Sequence, residues 1–168
     1  MRLGLISDTH LVAGRGGASI ALPAPLLVSL AGVDLILHAG DVACREVLEG
    51  LRRVAPVHAV AGNVDPPGLG LPPRLELGLA GFRVGLVHGH LGPGSTTPER
   101  AARACPSADV VVFGHSHQPM IARRTAERRV LLVNPGSPTQ PRGRAPTIAI
   151  VDLVEGAEPE ARLVTLPQ

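Results

Sequence analysis

Seven residues of metal-binding type occur in short polar segments, each of which follows an apolar run. They are Asp8, His10, Asp41, Asn63, His88, His115 and His117. A mixed set of carboxylates and imidazoles suits Mn, Fe, Co, Ni or Zn, whereas Ca²⁺ takes oxygen ligands alone. The two cysteines, Cys44 and Cys105, are too few and too isolated for a thiolate zinc site. The residue types therefore indicate a divalent metal centre without cysteine.

Two of these segments carry paired ligands with one residue between them. Asp8 and His10 form one pair, and His115 and His117 form the other. Because alternate residues of an extended chain point to the same side, each pair is expected to aim both side chains at one point. Seven ligands are too many for one tetrahedral ion. They suit two ions about 3.5–4 Å apart that share a carboxylate, which is the two-metal hydrolase arrangement.

The apolar runs before these segments predict β-strands buried on both faces. In chain order the pattern predicts strand Arg2–Ser7, helix Pro25–Ala31, strand Asp34–His38, helix Ala43–Val54 and strand Val57–Ala61. Hairpins, a helix and late strands are predicted after these, at Leu75–Leu79 with Phe82–His88, Thr97–Ala104, Asp109–Gly114, Ile121–Arg124 with Val130–Val133, Thr147–Leu153 and Ala161–Leu166. This order predicts two sheets with helices outside them, in a single domain over residues 1–168.

The predicted ligands all fall where these strands end. Ligands of open α/β sheets bind just beyond the carboxyl ends of the strands, so the seven side chains are expected to converge on one edge. Taken singly, Gly40-Asp41 and Gly62-Asn63 are ordinary turn dipeptides, and a lone Asp-Thr-His segment arises often by chance. Their shared position at strand ends favours one metal site over five unrelated turns.

The ordered segments SDTH (7–10), GD (40–41), GNVD (62–65), HGH (88–90), GHSH (114–117) and NPGS (134–137) resemble the calcineurin-like metallophosphoesterases. The sequence is most similar to their small YfcE-like phosphodiesterase branch. The resemblance implies an α/β fold, a four-layer α/β/β/α sandwich with two facing mixed β-sheets. It also implies two divalent metal ions, Mn favoured, with Fe, Ni, Co or Zn as alternatives.

The resemblance assigns a role to each of the seven positions. Asp8, His10 and His117 would hold one metal ion, and Asn63, His88 and His115 would hold the other. Asp41 would bridge the two ions. The reaction implied is hydrolysis of a phosphodiester by a hydroxide held between the metals, with Asp41, Asn63 and His90 in the catalytic site. Asn63 and His90 would also contact the substrate.

Val64 departs from the pattern of larger family members, which have histidine directly after the Gly-Asn pair. Valine cannot donate a proton to the leaving group, and a missing general acid costs about 10²–10⁴-fold when that group is poor. Diesters with good leaving groups are therefore expected to be preferred over alkyl monoesters. His90 is a candidate replacement acid or phosphate contact, and its alternative role is to orient its own loop.

Composition limits the other functions. The 168 residues are 45% hydrophobic and 18% charged, which is typical of a globular protein. A net charge of +2 and an aromatic content of 1% disfavour a nucleic-acid partner. Without a run of about 20 apolar residues or a signal peptide, we expect no membrane partner and a cytoplasmic location. A homodimer is expected only because dimers are the commonest oligomers of soluble proteins.

The alternative function is a non-catalytic metal-binding scaffold for protein interaction, as in the small subunit of the retromer sorting complex.

Overall fold

The computed structural model describes residues 1–12, 20–124 and 129–167. The strands in these ranges are Arg2–Ile6 (β1), Leu35–His38 (β2), Val57–Ala59 (β3), Arg74–Leu79 (β4), Phe82–Val87 (β5), Val110–Val112 (β6), Met120–Arg124 (β7), Val130–Asn134 (β8), Thr147–Asp152 (β9) and Glu160–Thr165 (β10). The α-helices there are Ala24–Ser29 (α1), Arg45–Arg52 (α2) and Thr97–Ala104 (α3), and Pro67–Leu69 forms a 3₁₀ turn. At eight residues or fewer, these helices are far too short to span a bilayer.

The strands form two mixed sheets of five strands each. The first sheet has the order β10-β9-β1-β2-β3, in which β1, β2 and β3 are parallel and β9 pairs antiparallel with both β1 and β10. The second sheet has the order β4-β5-β6-β8-β7, in which β5, β6 and β8 are parallel. Each sheet therefore contains three neighbouring parallel strands, most of whose ends supply the polar segments, together with strands paired in antiparallel fashion.

The buried side chains sort into three apolar layers. Between the sheets, Leu5 of β1 packs in one cluster with Leu86 of β5. On the outer face of the first sheet, Ile36 packs with residues of α1 and α2. On the outer face of the second sheet, Val111 packs with Ala101 of α3. This is the α/β/β/α sandwich that the resemblance implied, and that prediction is confirmed.

The predicted elements are present, but several are shorter than predicted. Helix α2 begins at Arg45 rather than at Ala43, because Ala43 has φ 73°, which no right-handed helix accommodates. Strand β6 covers Val110–Val112 rather than Asp109–Gly114. The glycine-rich composition of Gly14–Gly17 predicts a loop, and a hairpin turn is predicted around residues 126–128, but both segments lie outside the described residues.

Helix α3 can approach the second sheet closely because residue 85 of β5 is a glycine. Gly85 is buried in β5, and a Cβ there would lie 2.6 Å from both Cβ and Sγ of Cys105, which ends α3. Atoms this close must move apart, so any larger residue displaces the helix. Gly78 on neighbouring β4 is exposed and has no atom within 4 Å of a Cβ position.

We predict that Gly85→Ala lowers the free energy of unfolding by about 1–3 kcal/mol, the usual cost of overpacking a core. The matched variant Gly78→Ala should be neutral or stabilising by about 0.5–1 kcal/mol, because alanine loses less backbone entropy in a strand. Urea denaturation of the three proteins measures both values. Equal stability of the two variants would contradict this account of the packing.

Candidate metal centre

The seven predicted ligands lie at one edge of the sandwich, beyond the carboxyl ends of parallel strands. The loops after β1, β2, β3, β5 and β6 supply, in chain order, Asp8 and His10, Asp41, Asn63, His88, and His115 with His117. Contacts between side chains from the two sheets, given below, show that these loops meet in a common cleft. The predicted convergence is therefore what the fold produces.

One group of ligands consists of Asp8, His10 and His117, whose ligating atoms all lie within 4.8 Å of one another. The Nε2 atoms of His10 and His117 are 3.1 Å apart, and the two rings stack. His117 Nε2 also lies 3.5 Å from Asp8 Oδ1. Asp8 and His117 are buried while His10 is partly exposed, so this group opens to solvent beside His10.

A second group gathers around the side-chain oxygen of Asn63. His88 Nε2 lies 3.1 Å from Asn63 Oδ1, and His115 Nδ1 lies 3.0 Å from the same oxygen. The rings of His88 and His115 meet edge to face with centroids 5.2 Å apart. The second group thus offers two imidazole nitrogens and one amide oxygen within reach of a single ion.

Asp41 lies between the two groups. Its Oδ2 atom is 3.4 Å from His10 Nε2 and 3.3 Å from His88 Nε2, and its Oδ1 atom accepts a hydrogen bond from the Val64 amide at 3.1 Å. Burial raises the pKa of Asp41, but the hydrogen bond and charge of His88 and the Val64 amide outweigh it and hold the pKa at about 2. Asp41 is therefore an ionised carboxylate that reaches both groups.

Buried hydrogen bonds determine which ring nitrogens are available to a metal. His88 Nδ1 donates to the Ala39 carbonyl at 2.7 Å, and His117 Nδ1 donates to the Gln140 carbonyl at 2.6 Å. In its neutral form each ring would present a lone pair at Nε2, which is the arrangement that orients metal-binding histidines. These lone pairs face other ligand atoms, so a proton or cation between them is needed to offset the repulsion.

The electrostatics of the site also favour a cation. Burial lowers the pKa of His88, but the hydrogen bond and charge of Asp41, together with the charge of Asp8, outweigh burial and raise it. Burial raises the pKa of Asp8, partly opposed by the nearby histidines. The ionised carboxylate of Asp41 therefore lies beside imidazole nitrogens at a point where positive charge is favoured. The donor set and its electrostatics fit divalent cations of the Mn, Fe, Co, Ni and Zn type.

The backbone is unusual at the predicted ligands. Of the eight described residues other than glycine with positive φ, five are predicted ligands: Asp8 (φ 54°), His10 (φ 47°), Asp41 (φ 55°), His115 (φ 68°) and His117 (φ 57°). This conformation costs roughly 1–2 kcal/mol for each L-residue. The paired ligands are therefore not extended, so the reason given for their convergence is wrong. Asp8 and His10 do converge, but His115 and His117 do not. His117 joins Asp8 and His10, whereas His115 turns to Asn63.

The loop after β8 holds this strained backbone in place. Ser137 Oγ donates to the Asp8 carbonyl at 2.7 Å, and Thr139 Oγ1 donates to the Thr9 carbonyl at 2.5 Å. Asn134 Nδ2 donates to the Gly114 carbonyl at 2.9 Å, beside the His115 segment. The NPGS segment therefore packs against two ligand loops through hydrogen bonds to their backbone carbonyls.

Asp65 ties together the loops after β2 and β3. Its carboxylate accepts hydrogen bonds from the backbone N–H of Ala43 at 2.7 Å and of Gly62 at 2.8 Å. These bonds fix the segments that carry Asp41 and Asn63. The sequence gives no signal for this role, because both donors are backbone groups that any residue possesses.

His90 lies beside the second group rather than within it. Its ring centroid is 5.2 Å from that of His88 and 6.1 Å from that of His115. Among the described residues, its Nδ1 atom is buried and has no hydrogen-bond partner. Burial and the charge of His88 lower its pKa, which favours a neutral ring. Arg100 of α3 fixes the start of this loop through its hydrogen bond to the Gly89 carbonyl at 2.9 Å.

Comparison with known proteins identifies the family. Residues 1–156 match the calcineurin-like phosphoesterase superfamily domain. The chain belongs to the calcineurin-like phosphoesterase superfamily. A probable metallophosphoesterase of Methanothermobacter thermautotrophicus is 38% identical over 166 residues, covering 98% of this chain and 92% of that protein. One from Methanocaldococcus jannaschii is 36% identical over 170 residues, covering 100% of this chain and 83% of that protein.

Two solved structures share the fold at lower identity. A structure described as a novel archaeal phosphodiesterase has a TM-score of 0.74 at 22% identity and covers 99% of this chain and 100% of its own. Vps29 of Entamoeba histolytica, complexed with Zn²⁺, has a TM-score of 0.73 at 23% identity, covering 98% and 99% of the two chains. The superfamily makes this protein a metal-dependent phosphoesterase in class, and these two structures establish the fold.

Gly62 allows Asp41 to occupy its position, because a Cβ at residue 62 would overlap the Oδ1 and backbone N atoms of Asp41. We predict that Gly62→Ala weakens Mn²⁺ affinity by at least about 10–100-fold, the usual cost of disturbing the support of a metal ligand. Titration calorimetry measures the affinity. Gly68→Ala is the control, because nothing lies within 4 Å of a Cβ there. Wild-type affinity in folded Gly62→Ala would contradict the proposed position of Asp41.

His38 is fully buried, and it supports the loop that carries Asp41. Its Nε2 atom lies 3.1 Å from Thr9 Oγ1, which lies within 3.3 Å of the Asp41 and Val42 carbonyls. Its Nδ1 atom has no hydrogen-bond partner among the described residues. Burial lowers its pKa to about 3, with a further contribution from the charge of His88.

This shift predicts a pH dependence of stability. Between about pH 6.5 and pH 3 the unfolded chain binds a proton at His38 and the folded chain does not, so acid favours unfolding. The effect amounts to roughly 1.4 kcal/mol per pH unit. Metal-free His38→Gln should therefore lose about 2 kcal/mol less stability than wild type between pH 6.5 and pH 5, measured by urea denaturation. Equal losses would contradict a neutral buried His38.

Proposed function

We propose that this protein hydrolyses phosphodiesters with two divalent cations, Mn²⁺ favoured, that share Asp41. The observation that carries this proposal is the position of Asp41 Oδ2, 3.4 Å from His10 Nε2 and 3.3 Å from His88 Nε2. A carboxylate that reaches two ligand groups is the feature that two-metal hydrolases require. The name given to the archaeal phosphodiesterase of the same fold supports the diester assignment.

The chain supplies positions and hydrogen bonds for this reaction. When bound, the two cations provide the Lewis acidity that lowers the pKa of water and neutralises charge on phosphoryl oxygens. Asp8, His10 and His117 hold one side of the cleft, and Asn63, His88 and His115 hold the other. Asn63 Oδ1 faces the two histidines, and among the described residues no hydrogen bond uses its NH₂ group, which can therefore donate to a phosphoryl oxygen.

His90 and Val64 determine which leaving groups are tolerated. His90 is half-buried beside the second ligand group, and in this proposal its ring would contact a phosphoryl or leaving-group oxygen. The Val64 side chain is 48% exposed next to Asp41, and it offers no proton. Aryl diesters, whose leaving groups need no acid, are therefore the preferred substrates, since a missing acid costs about 10²–10⁴-fold with poor leaving groups.

We further propose a small diester rather than a nucleic acid as the substrate. A net charge of +2 and only two phenylalanines, with no tyrosine or tryptophan, provide neither a basic groove nor a stacking platform. Two-metal sites also cleave nucleic acids, so this choice is tested by salt titration of binding, which falls steeply with salt when many phosphates are contacted. A homodimer and a cytoplasmic location remain predictions.

The central experiment compares bis-p-nitrophenyl phosphate with p-nitrophenyl phosphate, using metal-stripped protein and added Mn²⁺, Co²⁺, Ni²⁺, Zn²⁺ or Mg²⁺. We predict metal-dependent turnover with the diester favoured. Asp41→Ala and His115→Ala should each lower kcat/KM by at least about 100-fold, because each removes a proposed metal ligand. The matched controls are Asp152→Ala and His58→Ala, which change a surface carboxylate and an exposed histidine of β3.

Two results would contradict the proposal. Faster hydrolysis of the monoester would overturn the substrate class while leaving the metal site intact. Folded protein that binds two ions per chain yet turns over neither ester with any metal would favour the scaffold function. The Vps29 structures have the same fold, so activity rather than fold distinguishes the two functions.

A further inference from the structure

Arg142 lies in a turn that is attached to the metal centre. The backbone carbonyl of Gln140, two residues before Arg142, accepts the hydrogen bond from His117 Nδ1 at 2.6 Å. Because consecutive Cα atoms are 3.8 Å apart, the Cα of Arg142 lies within about 7.6 Å of that of Gln140. The turn from Pro141 to Arg144 is closed by the Arg144 N–H bond to the Pro141 carbonyl at 3.1 Å. Arg142 therefore projects from a fixed point beside the first ligand group.

The guanidinium of Arg142 is exposed, and within residues 1–12, 20–124 and 129–167 it has no hydrogen-bond or ion-pair partner. Arg2, Arg123 and Arg129 differ, because each pairs with a carboxylate. Arg100 is the other arginine close to the cleft, and its donors are used by Gly89, Gly94 and Thr97. Arg142 is thus near the cleft with its five donors unused.

The turn that carries Arg142 lies beside the first ligand group on the side of His10. The ring of His117, which donates to the Gln140 carbonyl, stacks on the ring of His10 with centroids 4.9 Å apart. His10 is the partly exposed member of its group, on the side where the cleft opens. Arg142 also has φ 43°, a strained conformation for a residue with a long side chain. Such strain persists only where the surrounding structure enforces it.

We propose that Arg142 binds the non-bridging phosphoryl oxygens of the substrate from the side of His10. This inference rests on the proposed phosphodiesterase function and adds a specificity-determining residue to it. The planar guanidinium offers two parallel N–H donors that match two phosphoryl oxygens. The guanidinium keeps its charge at every working pH, so it complements the negative charge of the phosphoryl group without a proton transfer.

The test compares Arg142→Ala and Arg142→Lys with Arg144→Ala, an exposed arginine of the same turn. Calorimetry first measures Mn²⁺ binding and then inorganic phosphate binding to the Mn²⁺-loaded protein. We expect Arg142→Ala to weaken phosphate binding roughly tenfold or more and to raise KM for bis-p-nitrophenyl phosphate, as loss of a charged hydrogen bond requires. Arg142→Lys should recover part of the loss, and Arg144→Ala should match wild type.

Mn²⁺ affinity separates a phosphate contact from a structural role. Removing a guanidinium near a cation site relieves repulsion, so Arg142→Ala should bind Mn²⁺ at least as tightly as wild type. Weaker Mn²⁺ binding would assign Arg142 to support of the His117 loop and overturn the inference. Equal phosphate affinity in Arg142→Ala and Arg144→Ala would also overturn it. Phosphate binding can be measured without turnover. An inactive wild type would therefore contradict the proposed function, whereas phosphate binding would still test the role of Arg142.

Discussion

The site depends on one carboxylate placed among imidazoles at the edge between two sheets. Asp41 is 2% exposed, and its oxygens contact His10, His88 and the Val64 amide. A buried carboxylate is costly unless its charge is compensated by donors or a cation. The strands of both sheets end at this point, so the sandwich brings the compensating groups from distant parts of the chain. The cation binding proposed at Asp41 is therefore linked to the packing of the two sheets.

Hydrogen bonds from residues outside the ligand set offset the free-energy cost of the unusual backbone at the ligands. Five predicted ligands have left-handed backbone, a conformation that short free loops would abandon. Ser137 and Thr139 hold the segment after β1, and Asp65 holds the segments after β2 and β3. These contacts support the ligand backbone without involving the ligand side chains.

Local signals made part of this structure predictable. Helix α3 spans Thr97–Ala104 as expected, because Thr96 caps its first turn and Pro98 suits its start. The central strands were recognisable because both of their faces are buried. The left-handed ligands, the Gln140 carbonyl and the role of Asp65 were not, because they depend on backbone atoms and distant partners. The bond from Thr139 to Thr9, for example, joins residues 130 positions apart.

The most direct test of the shared carboxylate is the position of the ions themselves. Anomalous diffraction from crystals of the Mn²⁺-loaded protein locates them without reference to activity. The account predicts two peaks about 3.5–4 Å apart, both in contact with Asp41, one beside His10 and His117 and the other beside Asn63 and His115. A single peak, or two peaks of which one lacks contact with Asp41, would contradict it.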